Sequence, residues 1–120
     1  MEDKYLLDTH VVMQAFNSGL ELPEAFYTIA AISKDEVLSY HDISETERAV
    51  IDSILEKMET LEASEVIIET AKLLQSKYNM TVADAVIGAT AYTNNLILIT
   101  NDSTFKQVEE INMEPFYFVN

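Results

Sequence analysis

Cysteine is absent from this 120-residue chain, so it holds no disulfide, no thiolate zinc site and no cysteine nucleophile. Glycine and proline are scarce, at two each, while 48% of the residues are hydrophobic. That balance excludes a disordered, collagen-like or loop-dominated chain. Positive charge is the third shortage: seven Lys and Arg stand against 21 Asp and Glu, a formal net charge of -14. Such a surface repels polyanions at long range, and the sequence shows no cluster of Lys and Arg to release counterions from a nucleic acid. Two routes to phosphate stay open: divalent cations held by carboxylates, or a basic partner protein covering the acidic surface. No run approaches the roughly 20 apolar residues of a membrane span. The opening Met-Glu-Asp-Lys also lacks a basic region followed by an apolar stretch. The expectation is one cytoplasmic domain over 1–120 without membrane association, burying about two thirds of its unfolded surface.

What is present is an alternation of short apolar runs and helical spacing. Tyr5 to Leu7 reads as a strand that runs into Asp8-Thr9-His10 and a helix over 11–16, capped by Gly19. Beyond Pro23, the β-branched run from Tyr27 to Ile32 suits a buried strand, and Ser33 opens the next helix. Three- and four-residue spacing from Ser44 to about Leu61 predicts a surface helix. A short strand over 64–67 follows, then a helix over 68–78. Alanine-rich Thr81 to Tyr92 predicts the central buried helix, ended by Asn94-Asn95 ahead of the best strand, Leu96 to Ile99. A short helix over 104–110 and a final strand over 116–119 complete the chain. Strands alternating with helices imply right-handed crossovers and a mostly parallel sheet, with ligands bound outside the carboxyl ends of its strands.

Asp8, Glu36 and Asp102 fall at that edge. Asp84 reaches it only if its helix begins close by. Each has an ordinary alternative as a helix N-cap or first-turn acid, and Ser33-x-x-Glu36, Thr81-x-x-Asp84 and Ser44-x-x-Glu47 all fit the capping-box pattern. In a parallel sheet, however, helix N-termini and strand C-termini coincide, so capping and metal binding are compatible roles. Three or four carboxylates without sulfur or a histidine pair select a hard cation such as Mg²⁺ or Mn²⁺ over zinc. The chemistry implied is phosphoryl transfer by activated water. His10, on a helix, is expected to point away from Asp8 as a packing or loose contact residue, and His41 to cap a helix C-terminus. Lys34 and Lys106 flank the proposed pocket, and Asn101 is placed to orient Asp102 or a water.

Tyr-Leu-Leu-Asp8-Thr-His-Val-Val, Ser33 with Glu36, Ala83-Asp84-Ala85-Val-Ile-Gly-Ala-Thr-Ala and Leu98-Ile-Thr100-Asn-Asp102-Ser-Thr-Phe105 resemble, in order and spacing, the PIN-domain ribonucleases of the VapC toxin type. The resemblance covers nearly the whole chain and is most specific over 68–116. It implies a three-layer α/β fold with a central, mostly parallel sheet of about five strands and helices on both faces. It further implies a Mg²⁺- or Mn²⁺-dependent endoribonuclease acting on RNA, usually a homodimer, held inactive by an antitoxin whose C-terminal segment enters the acidic pocket. Asp8, Glu36, Asp84 and Asp102 match the family's acidic site, and Thr100 matches the hydroxyl that supports it. Two positions depart from the pattern: His10 stands where Asn is usual, and Thr104 stands at an accessory acidic position, which lowers the charge available for a second ion. A PIN-like module that does not cut RNA and binds a basic partner is the alternative reading. An aspartyl phosphatase lacks its second aspartate, because His10 occupies that place.

Overall fold

The computed structural model describes residues 4–17, 26–39 and 43–116. Five strands form one sheet: β1 (Lys4–Leu7), β2 (Phe26–Ala30), β3 (Glu59–Leu61), β4 (Ile97–Ile99) and β5 (Asn112–Glu114). Their order is β3-β2-β1-β4-β5, and every neighbouring pair is parallel. Five helices connect them: α1 (Thr9–Asn17), α2 (Ala31–Leu38), α3 (Glu45–Glu56), α4 (Glu65–Lys77) and α5 (Val82–Thr93), with a 3₁₀ turn over Ser103–Gln107.

The two-residue period of the strands divides the apolar side chains between two cores. Leu6, Ala30 and Leu98 pack with Ile67, Ala71 and Leu74 of α4, Ala85, Ile87 and Ala89 of α5, and Phe105. Leu7, Ile29 and Ile99 face the other way, onto Val11 and Val12 of α1, Val37 of α2, and Ile51 and Leu55 of α3. This is the expected three-layer arrangement. Because both faces of β1 and β4 are covered, their residues read as continuous apolar runs rather than as alternation. Gly88 faces α4, where a Cβ would lie 3.4 Å from Leu74 Cδ1, at the edge of ordinary van der Waals contact.

Helix ends are set by local chemistry. Ser44 and Glu47 form a reciprocal capping box at the start of α3, and the Ser64 hydroxyl accepts the Ile67 amide of α4 at 3.3 Å. After α5 the chain turns through Asn95 at φ 52°, with Leu96 N–H donating to Ala91 O (2.8 Å) and Asn95 N–H to Tyr92 O (3.3 Å). This Schellman turn uses asparagine where glycine is commoner.

Three expectations are corrected and one strand is added. β2 stops at Ala30, where its pairing with β3 ends, and α2 begins at Ala31, so Ser33 lies inside the helix, fully buried, and caps nothing. The residues read as a strand at 64–67 are the cap and first turn of α4, and the strand lies earlier, at Glu59–Leu61, in what spacing assigned to the tail of α3. β3 is a three-residue edge strand with little apolar content, which leaves a helical period unopposed in the sequence. A strand not expected from the sequence, Asn112–Glu114, lies ahead of Pro115, and only Met113 in it packs inward, while the strand expected over 116–119 falls, but for Phe116, outside the described residues. Residues 117–119 lie outside the described residues, as do Gly19, Pro23 and His41. The stretch expected as a helix over 104–110 is a 3₁₀ turn of five residues. Among the described residues no helix is long and apolar enough to cross a membrane.

Candidate functional site

From β1 the chain winds outward to β2 and β3, then crosses back to β4 and β5 on the other side of β1. The crevice between β1 and β4 is therefore the topological switch point, where loops leave the strand ends in opposite directions. Asp8 follows β1 and is 2% exposed; its amide continues the ladder by donating to Ile99 O at 3.1 Å, while its carbonyl accepts the first amides of α1 from Val11 and Val12. Across the crevice, Thr100 is completely buried. Its hydroxyl donates to Asp8 Oδ2 at 2.8 Å and accepts the Asp102 amide at 3.0 Å. One side chain thus holds the first and last acidic residues in register.

Asp102 Oδ1 accepts the Thr104 amide at 2.9 Å, capping the 3₁₀ turn. Thr104 contributes its backbone there. Asp84 sits in the first turn of α5, whose start at Val82 meets the condition for reaching the edge, and the Thr81 hydroxyl fixes it by accepting the Asp84 amide at 3.1 Å. Glu36 lies on the exposed side of α2, where Oε1 accepts the Thr9 hydroxyl at 3.1 Å. Thr9 was not singled out from the sequence; its position directly after Asp8, within reach of Glu36 on α2, explains its role only once the two helices are placed side by side.

The electrostatics tie the four acids together. Burial pushes the Asp8 carboxyl above its ordinary value, and the charge of Asp102 adds to this; the Thr100 hydrogen bond, His10 and the Thr9 amide oppose it. Burial also raises Asp84, followed by the charge of Asp102 and, more weakly, those of Asp8 and Glu36, against the Thr81 hydroxyl. Among the described residues no three His, Asp or Glu side chains are drawn tightly enough together to grip an ion as they stand. Like charges that raise one another's pKa favour such spacing, and a cation among them offsets the repulsion. The donors are all oxygen, which suits a hard divalent cation and not zinc.

Other candidates fall differently. His10 is not packed: its side chain is 79% exposed and Nδ1 lies 3.9 Å from Asp8 Oδ2, a loose contact. Asn101 is turned from Asp102 toward the segment after β5, where Nδ2 donates to Phe116 O and Oδ1 accepts the Phe116 amide, both at 2.9 Å. Neither Lys34 nor Lys106 forms an ion pair among the described residues.

A family model described as PIN domain matches residues 5–111. No curated protein matches the sequence. Among solved structures, the fold is similar to a chain of VapBC2 from Rickettsia felis bound to a promoter DNA fragment, at TM-score 0.81 and 19% identity, covering 94% of this chain and 98% of that one. DNA-bound VapBC from Salmonella typhimurium gives TM-score 0.81 and 18% identity over 94% and 98% of the two chains. VapBC-5, a member of a toxin-antitoxin family from Mycobacterium tuberculosis, gives 0.66 and 22% over 96% and 98%.

Proposed function

The chain belongs to the PIN-domain family, whose members are nucleases, and from that membership and the acidic edge at the switch point we propose that it is a metal-dependent endoribonuclease, the VapC-type toxin of a toxin-antitoxin pair. The observation that carries the reading is the Asp8–Thr100–Asp102 link: a buried hydroxyl donates to the Asp8 carboxylate and accepts the Asp102 amide, tying together the residues that follow two neighbouring strands. A buried acid whose burial raises its pKa is costly to the fold, and such cost concentrates at functional sites.

Asp8, Asp84 and Asp102, with Glu36, would hold Mg²⁺ or Mn²⁺. Such an ion, when bound, would offer charge stabilisation to a phosphodiester and a lowered pKa to a bound water. The protein's own part is positional. Thr100 orients Asp8 against Asp102, Thr81 fixes the turn that presents Asp84, and Thr9 holds Glu36 at the rim. The structures of similar fold are of toxin-antitoxin complexes, which supports an antitoxin as protein partner; assembly as a homodimer in the cytoplasm belongs to the same proposal.

Partner-free protein incubated with RNA and Mn²⁺ is expected to cleave it, and Asp8→Asn to lose several orders of magnitude in rate, because the charge-stabilising group would be lost. Equal rates for wild type and variant would defeat the catalytic reading. The net charge of -14 and Thr104 in place of an acid favour the alternative, a binding module for a basic protein. Calorimetric titration separates the two: Mn²⁺ binding that Asp102→Asn abolishes speaks for the enzyme, and no Mn²⁺ binding by wild type speaks for the module.

A further inference from the structure

Beside the acidic edge, α1 and α2 enclose a groove of about 490 Å³, within the range of small-molecule sites. On α2 it is lined by Ile32, Asp35, Glu36 and Ser39, which share one face through three- and four-residue spacing; on α1 it is lined by His10 and Met13. Met13 and Ile32 give it an apolar floor, and among the described residues its rim carries no Lys or Arg. Glu36 belongs both to this rim and to the acidic edge, so whatever occupies the groove lies against the candidate metal site. Its Oε1 is engaged by Thr9, whereas the Asp35 carboxylate has no hydrogen-bond partner among the described residues. The Ser39 hydroxyl donates to Asp35 O at 2.6 Å and closes the last turn of α2 under that carboxylate.

We propose that this groove is a base-selecting subsite, which receives the guanine of a nucleotide next to the scissile phosphate. The inference rests on the endoribonuclease reading and adds its substrate preference. An acidic rim rejects phosphate but not the uncharged face of a base, and an apolar floor is what a base needs to stack upon. The rim selects among bases by hydrogen-bond sense, because an ionised carboxylate only accepts. Guanine is the one common base whose Watson–Crick edge presents two adjacent N–H donors, at N1 and the N2 amino group, matching the two oxygens of Asp35. Adenine and cytosine set a donor beside an acceptor, and uracil flanks its single donor with two acceptors.

The test uses the full chain, with guanosine, inosine and uridine as probes, followed at the Met13 and Ile32 methyl groups by NMR. Guanosine is expected to shift both methyls and to bind about 10-fold more tightly than inosine, which lacks the amino group, with Asp35→Asn removing that difference. Mapping of RNA cleavage ends is expected to show guanine enriched at one position in wild type and the enrichment lost in Asp35→Asn. If no nucleoside shifts these methyls, or if only an arginine-containing peptide does, the subsite is overturned. The two proposals fail separately: guanosine binding without Asp8-dependent cleavage leaves the groove and removes the enzyme, while cleavage without base preference or methyl shifts does the reverse.

Discussion

Thr100 is the residue on which the candidate site turns, since its hydroxyl both donates to Asp8 and receives from Asp102. Thr100→Val keeps the shape and removes both bonds. It is expected to lower metal affinity or activity by about 10- to 100-fold, the usual range for a group that orients ligands, while circular dichroism stays unchanged. Asp8 gives a prediction of opposite sign for stability. Burial raises its folded pKa above the ordinary aspartate value of about 3.8, so the folded state binds protons more readily than the unfolded state between that value and the raised one. The resulting penalty is fully present above the folded pKa and disappears as pH falls toward 3.8. Asp8→Asn, measured without divalent cations, should therefore unfold at higher temperature than wild type at pH 7, and the advantage should shrink toward pH 4; a variant less stable than wild type at pH 7 contradicts the burial argument. Glu110 behaves in the ordinary direction. Its pKa is lowered by the Tyr78 hydroxyl, which donates to it at 2.6 Å, and by Lys77, so its contribution is present above its unfolded value and is lost in acid.

At the scale of the element, two helix caps distinguish stability from function. Ser44 caps α3 on the exposed surface, and Thr81 caps α5 where Asp84 enters the site. Ser44→Ala and Thr81→Ala should each cost about 1 kcal/mol in urea denaturation. Only Thr81→Ala should also reduce cleavage, because the amide it releases is that of Asp84 itself. The turn after α5 adds a third case. Asn95 at φ 52° is in the left-handed region, so Asn95→Ala should cost about 1 kcal/mol. Its effect on activity should be small, since it lies at the end of β4 opposite Thr100. Sequence reading located the cap of α5 and the Asn94-Asn95 stop correctly but misassigned Ser33, because the serine signature is the same for a cap and for a residue buried inside a helix. What decided Ser33 was the end of β2 pairing at Ala30.

For the whole molecule, the excess of acid sets the physical constraints. A chain with a net charge of -14 and no basic cluster has few counterions to release. Its RNA cleavage should change little between about 50 and about 200 mM salt, where a protein with many phosphate contacts loses about 10³-fold or more in affinity. A steep loss of RNA binding with salt would reveal a basic partner in the preparation. Divalent cation binding should stabilise the fold by mass action: Mn²⁺ at about 100 times its Kd adds about 2.7 kcal/mol, a rise in Tm of several degrees for a domain of this size. Asp102→Asn should remove that rise.

The sequence by itself determined the layered α/β class, the two buried central strands and the acidic residues, because apolar runs, helical periodicity and chain order are local signals. Asp8 and Asp102 lay beside the strongest strands and were visible from position alone. Only the tertiary structure decided that β1 and β4 are neighbours across the switch point, 92 positions apart at Asp8 and Thr100, and that one threonine joins them. It also placed the edge strands, Glu59–Leu61, which sequence reading set at 64–67, and Asn112–Glu114, which it did not find. An edge strand of three residues is specified by the backbone groups of its neighbour, and no pattern in its own side chains announces it. The groove between α1 and α2 was invisible for the same reason: each helix contributes half of it, and neither half alone is distinguishable from an ordinary exposed face.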